Sequence, residues 1–210
     1  KPILIGVLLA ALSQFSGINA IIYYGPSILE KAGFKLGEAL GGQVTIGIVN
    51  VLFTFVAIYV IDRKGRKPLL LWGIGGAVIS LLLAAIFFAL NATSFLALIP
   101  IVLFIACFAF SFGPVTWVVI SEIFPTQVRG VAVAISTMSL WIANWIVGQF
   151  FPLMLQGTGP SVTFIAFALF SSAAFVLSWK KIPETKGKTL EEIEHFWKND
   201  TRQELESLKG

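Results

Sequence analysis

The sequence predicts an all-α membrane protein, six transmembrane helices followed by a polar tail with one amphipathic helix. Three observations predict it. Apolar residues make up 57% of the chain and charged ones 12%, with a mean hydropathy of +0.88, whereas soluble domains carry about 25% charged residues. Six runs without charged side chains, each near the length that crosses a bilayer, follow one another at about 3–29, 40–61, 69–90, 95–121, 130–152 and 161–179. Basic residues also gather in alternate loops. Six spans put Lys1, Arg63, Lys64, Arg66, Lys67, Arg129, Lys180, Lys181, Lys186 and Lys188 on one side, against Lys31 and Lys35 on the other. This asymmetry predicts that the start of the segment and the C-terminus are both cytoplasmic, and the expected location is the plasma membrane, as a multi-pass protein. It also explains the isoelectric point near 9.3 without nucleic acid as a partner.

The organisation read from these runs is a transmembrane unit over 1–182 and a cytoplasmic tail over 183–210. Cys107 is the single cysteine, which excludes a disulfide or a cysteine metal site within one chain. The first run is too long and too polar for a signal peptide. Lys1-Pro2 lacks an initiating methionine, so the chain is expected to begin inside a longer product.

The first run holds the most informative stretch, 13–26, where Ser13, Gln14, Ser16, Asn19, Tyr23 and Tyr24 interrupt an apolar helix. Lipid offers no hydrogen-bond partners, so these groups are expected to face a cavity. Five residues separate Gln14 from Asn19, which places them roughly 140° apart on a regular helix. Gly17 lies between them and Pro26 closes the stretch, so a local break brings both amides to one pocket. Helix-to-helix glue is the alternative use of such residues.

In the second run Gln43, Gly47, Asn50 and Thr54 share one face, with Asn50 the expected ligand contact and Gly47 and Thr54 open to a packing role. The loop 62–68 is a basic turn in which Gly65 gives the backbone freedom. Such a turn reads either as a solvated cytoplasmic loop or, since Glu122 and Glu184 fall on the same side, as part of a gating ion-pair network. Gly73, Gly75, Gly76 and Ser80 mark the third run as scaffold. In the fourth, Pro114 after Gly113 disturbs the helix near Trp117, which reads as a hinge or as the static kink common in membrane helices. The fifth puts Trp141, Asn144, Trp145 and Gly148 on one face. The sixth, rich in Phe and Ala, is expected to face lipid. Beyond it, Thr189 to Glu192 reads as a capping box, and Leu190, Ile193, Phe196 and Trp197 form an apolar face for the underside of the bundle or the headgroup region. His195 on that helix reads as a surface residue.

The polar set at membrane depth is neutral throughout. Amides donate and accept together and an indole offers a flat apolar face, which suits a small ring with hydroxyl edges and C–H faces. A sugar fits best. No serine, histidine and acid set, paired carboxylate or phosphate-cradling loop accompanies it, so an enzyme, a cofactor and a metal are not expected.

These residues resemble the sugar porters of the major facilitator superfamily, specifically their C-terminal six-helix half. The likeness rests on Gln14 to Asn19 with Tyr23 and Tyr24, on Asp62 to Lys67, on Gly113 to Trp117 with Glu122 and Arg129, and on Pro183 to Gly187. The resemblance implies two inverted three-helix repeats, carriage of a monosaccharide (hexose or pentose) by alternating access, and a separate N-terminal half as partner. It implies sugar contacts from Gln14, Asn19, Asn50, Trp117 and Trp141, with Asn144 lining the pocket. It further implies an outer gate at Tyr23 and Tyr24 and an inner ion-pair network of Arg63, Arg66, Glu122, Arg129 and Glu184. Two departures, Ser13 and Leu140 where the family carries amides, are each expected to remove a hydrogen-bonding group from the site. A titratable group at depth is needed for protons to act as coupling ion, and none occurs in this stretch, so symport and uniport both stay open. A sugar sensor that binds without translocating, and a homodimer of this half, are the alternative readings.

Overall fold

The computed structural model describes residues 2–92, 94–189, 191–193 and 195–197, and every regular element among them is helical. Six helices are long and apolar enough to cross a membrane: Pro2–Lys31, Leu36–Lys64, Arg66–Ala89, Phe95–Glu122, Arg129–Gly157 and Gly159–Lys181. Each overlaps its predicted run. Most ends run one to five residues further, several of them into flanking charged residues such as Lys31, Lys64, Arg66, Arg129 and Lys181, whereas the third span stops at Ala89.

The first span is two helices, α1 (Pro2–Phe15) and α2 (Ile18–Lys31), joined at Gly17 with φ 87°. Side chains with a Cβ avoid that left-handed conformation, so glycine is what lets the helix break here. A second irregularity follows at Tyr24 (φ −115°, ψ 16°), two residues before Pro26. Next come α3 (Leu36–Lys64) and α4 (Arg66–Ala89), which meet at Gly65 (φ 94°). The fourth span is α5 (Ser94–Cys107), one π-helical turn at Phe108–Phe112, and α6 (Gly113–Glu122). The expected disturbance at Pro114 thus takes the form of a widened turn just upstream, where the Gly113 N–H reaches back five residues to the Phe108 carbonyl. The last two spans are α7 (Arg129–Gly157) and α8 (Gly159–Lys181).

α4 packs along α8, α1 along α7, and α3 along α5 and the π turn, while α4 meets α5 as α8 meets α1. Exchanging spans one to three for spans four to six maps these pairs onto each other, and each triplet opens with a broken helix. Small residues set the closest approaches. A Cβ built on Gly73 would lie 2.1 Å from Ser111 Cβ, and the Ser111 hydroxyl donates to the Leu69 carbonyl at 2.6 Å. The scaffold role of the third run therefore has a physical form. Gly47 does not share it, since a Cβ there would meet nothing within 4 Å.

The sixth span corrects an expectation. It does not simply face lipid: Thr163, Phe164, Phe167, Ala168, Ser171, Ala174 and Ser178 are buried, mostly against α4. Its hydroxyls and alanines are small enough for close contact, and a helix apolar on every side gives no sign of which side is covered. The most exposed span is α3, which presents Val44, Ile48, Val51, Phe55 and Tyr59 outward.

At the basic end the tail turns back under the bundle. Its capping box forms, with the Thr189 N–H donating to Glu192 Oε2 (2.7 Å) and the Glu192 N–H to Thr189 Oγ1 (3.3 Å). Ile193 and Trp197 are buried, and the Trp197 indole N–H donates to the Ile123 carbonyl at 3.0 Å. Phe196 points outward instead. Leu190 and residues 198–210 lie outside the described residues.

Candidate functional site

The break at Gly17 builds the site. On an unbroken helix Gln14 and Asn19 diverge, yet here the Asn19 Nδ2 donates to Gln14 Oε1 at 2.7 Å. Gln14 is held in turn by Ser13, whose hydroxyl accepts from Gln14 Nε2 (3.1 Å) and donates to the Ala10 carbonyl (2.7 Å). Gln14 and Ser13 are buried, at 7% and 2% exposure. Among the described residues, one N–H of Gln14, one N–H of Asn19 and the Asn19 carbonyl have no hydrogen-bond partner.

These groups border a cavity of about 150 Å³ whose walls are Ser13, Gln14, Ile18, Asn19, Ile22, Asn50, Phe108, Gly113, Thr116, Trp117 and Leu140. Four spans contribute. The π turn and Gly113 bring Phe108 and Trp117 to the wall, and Pro114 follows directly behind. No wall residue is ionisable in the ordinary pH range. A neighbouring hollow of about 170 Å³, lined by Phe15, Phe150, Phe167 and other apolar side chains, offers a polar ligand no side-chain partner.

The expected contacts from α7 divide. Leu140, rather than Trp141, lines this cavity, and Trp141 is 59% exposed. Asn144 donates through Nδ2 to the Tyr23 hydroxyl at 3.4 Å, and its Oδ1 is buried without a partner. The two tyrosines have separated. Tyr23 stays largely exposed, while Tyr24 donates to the Gly148 carbonyl (3.0 Å) and stacks on Phe151 with ring centroids 5.3 Å apart. Tyr24 thereby braces the first span on the fifth. Ser13 also behaves otherwise than expected: it departs from the family amide but keeps a hydrogen-bonding group in the site, turned onto Gln14.

Ile18, Ile22, Phe108 and Thr116 were not among the expected site residues. Ile18 and Ile22 lie one turn apart on α2, a spacing that is unremarkable in a chain so rich in isoleucine and that the break at Gly17 disconnects from Gln14.

A second polar cluster occupies the basic end. Arg66 meets Glu122 with two contacts, Nη2 to Oε1 at 3.2 Å and Nε to Oε2 at 3.3 Å, and pairs with Asp62 at 3.1 Å. The Thr185 hydroxyl donates to the same Glu122 carboxylate. Glu184 accepts from the backbone N–H groups of Arg66 (2.9 Å), Lys67 (3.1 Å) and Lys186 (2.9 Å). Its place is at the start of α4, where unpaired N–H groups and the helix dipole both attract a carboxylate. Arg63 and Arg129 depart from the expected network. Arg63 lies over the Tyr59 ring at 4.1 Å, and Arg129 donates to the Phe124 carbonyl at 3.2 and 3.3 Å. Among the described residues, no group of three metal-ligating side chains converges.

The "Sugar (and other) transporter" family matches residues 1–197. The arabinose-proton symporter of Bacillus subtilis is 42% identical over 198 residues, covering 94% of this chain and 43% of the relative. The D-xylose-proton symporter of Escherichia coli is 37% identical over 206 residues (95% and 42%), and the glucose facilitated diffusion protein of Zymomonas mobilis 38% over 200 (92% and 42%). The solved proton:xylose symporter XylE bound to 6-bromo-6-deoxy-D-glucose superposes with a TM-score of 0.84 over 93% of this chain and 42% of its own, at 37% identity. The inward-open xylose transporter XylE from E. coli gives 0.83 at 38% identity, with the same coverage. The chain spans less than half the length of the relatives it matches.

Proposed function

The chain belongs to the sugar transporter family of the major facilitator superfamily, and on that footing we propose that it forms the C-terminal six-helix half of a monosaccharide carrier. The observation that carries the reading is the uncharged polar cavity at the Gly17 break, with the Gln14 and Asn19 amides locked together on its wall. Gln14, Asn19 and Asn50 take the hydroxyl edges of a hexose or pentose, and the Trp117 indole takes a C–H face. Trp141 and Asn144 complete the site from α7, on the side turned toward the partner half. Tyr23 closes it from outside while Tyr24 anchors the closing segment. Gly113 and Pro114 provide the give in the fourth span.

Alternating access places the sugar between two halves that rock about it. The cluster of Arg66, Glu122 and Glu184, with Arg63 and Arg129 alongside, latches the inner side in the outward-facing state, and the basic end is the cytoplasmic one. A handful of neutral hydrogen bonds at about 0.5 to 1.5 kcal/mol each, less the cost of immobilising the ligand, gives micromolar or weaker binding, from which release is easy. Relatives named as arabinose-proton and xylose-proton symporters support protons as the coupling ion. The cavity at the Gly17 break has no group to carry them, so a proton site belongs to the other half.

Counterflow of labelled monosaccharide into proteoliposomes holding the full-length protein tests this. Saturable flux is expected, and Gln14→Ala and Trp141→Ala should each depress it about tenfold at unchanged protein level. Sugar binding with no flux would instead mark a sensor.

A further inference from the structure

Pro26 carries no N–H, so the carbonyl four residues before it, that of Ile22, loses its helical donor. Left without any donor, a carbonyl at this depth is costly. A side chain from the next span supplies one: Gln43 of α3 donates through Nε2 to the Ile22 carbonyl at 2.9 Å. The amide orientation follows from the chemistry, since a carbonyl oxygen can only accept. Gly25 makes the approach possible, because a Cβ there would stand 1.8 Å from Gln43 Oε1. That Oε1 is itself buried with no hydrogen-bond partner. Between the pinned carbonyl and the proline lies Tyr24, the one residue of α2 with non-helical backbone angles. Ile22 also forms part of the cavity wall.

We propose that Gln43 is a positioning residue: its amide replaces the donor missing at Pro26 and sets the angle at which the outer segment of the first span, with Tyr23 and Tyr24, leans over the cavity. The gating purpose rests on the carrier reading; the pin itself does not. An unpaired buried acceptor is unfavourable, so any swing of the outer segment that wets Oε1 recovers part of what breaking the Ile22 bond loses. That recovery lowers the cost of release, as a gate that opens in every cycle requires.

The test uses the full-length protein with Gln43→Leu, Gly25→Ala, Gln43→Ala and the Gly25→Ala/Gln43→Ala pair. In Gln43→Leu, amide hydrogen exchange over 20–31 is expected to quicken about tenfold while 66–89 keeps its wild-type rates. Monosaccharide affinity should stay within about twofold and the maximal counterflow rate move by about threefold or more, the signature of a gating step rather than a binding contact. Gly25→Ala, which removes no donor, should give the same signature alone and add nothing in the Gln43→Ala background. Wild-type exchange over 20–31 in both Gln43→Leu and Gly25→Ala would overturn the proposal, as would additive effects in the pair. A wild-type protein that binds no sugar would refute the carrier reading, and the exchange arm would still judge the pin.

Discussion

Gly17 determines where the two site amides point, and its own surroundings leave it no substitute. Its φ is 87°, and a Cβ there would fall 2.3 Å from the Phe167 ring. Gly17→Ala should lose about 1 to 2 kcal/mol to the backbone and about 1 to 3 more to crowding. In detergent, the melting temperature of the full-length protein should drop by several degrees and sugar affinity should weaken with it. Unchanged melting would mean that the first span breaks elsewhere. The meeting of Gln14 and Asn19 was legible beforehand, because a straight helix would leave one of the two amides against lipid and a glycine between them frees the backbone to turn both inward. The parting of Tyr23 and Tyr24 was not legible. Neighbours on a helix point about 100° apart, and nothing in a Tyr-Tyr pair says which one turns inward. The same ambiguity separated Leu140, on the cavity wall, from Trp141 beside it.

Among elements, the start of α4 shows how a predicted ion-pair network becomes something more specific. Glu184 was legible as a charge on the right side, but charge counting cannot distinguish a carboxylate that pairs with arginine from one that caps a helix. The backbone N–H groups of Arg66 and Lys67 decided it. Glu184→Ala should remove about 1 kcal/mol of capping and raise hydrogen exchange at those two amides several-fold, with little change in the middle of α4. Equal exchange in the variant would show that Glu184 sits there without holding the helix. Hydropathy made the existence of the six spans plain and left their neighbours unstated. α8 looked featureless because its contacts use Thr163, Ser171 and alanines, residues that read as filler in a sequence and pack closely in a bundle. α3 looked amphipathic by its polar notch, and it is the helix with most of its surface uncovered.

In the whole molecule, the symmetry of the bundle and the position of the site coincide. The pairwise contacts exchange under a swap of the two triplets, and each triplet opens with a helix broken beside the cavity, at Gly17 and at the π turn before Gly113. Composition forecast the bilayer and the neutral chemistry; it could not forecast that Ser13 would steady Gln14, because a hydrogen bond between adjacent side chains depends on rotamers that no spacing rule fixes. An uncharged polar hollow of this kind should select an uncharged polyol. Equilibrium binding to the full-length protein tests that selectivity most directly, with a neutral monosaccharide, the corresponding sugar acid and the sugar phosphate compared in wild type and Gln14→Ala. The neutral sugar should bind and the two anions should not, and Gln14→Ala should weaken the neutral sugar about tenfold. Equal binding of the anions, or wild-type affinity in Gln14→Ala, would contradict it.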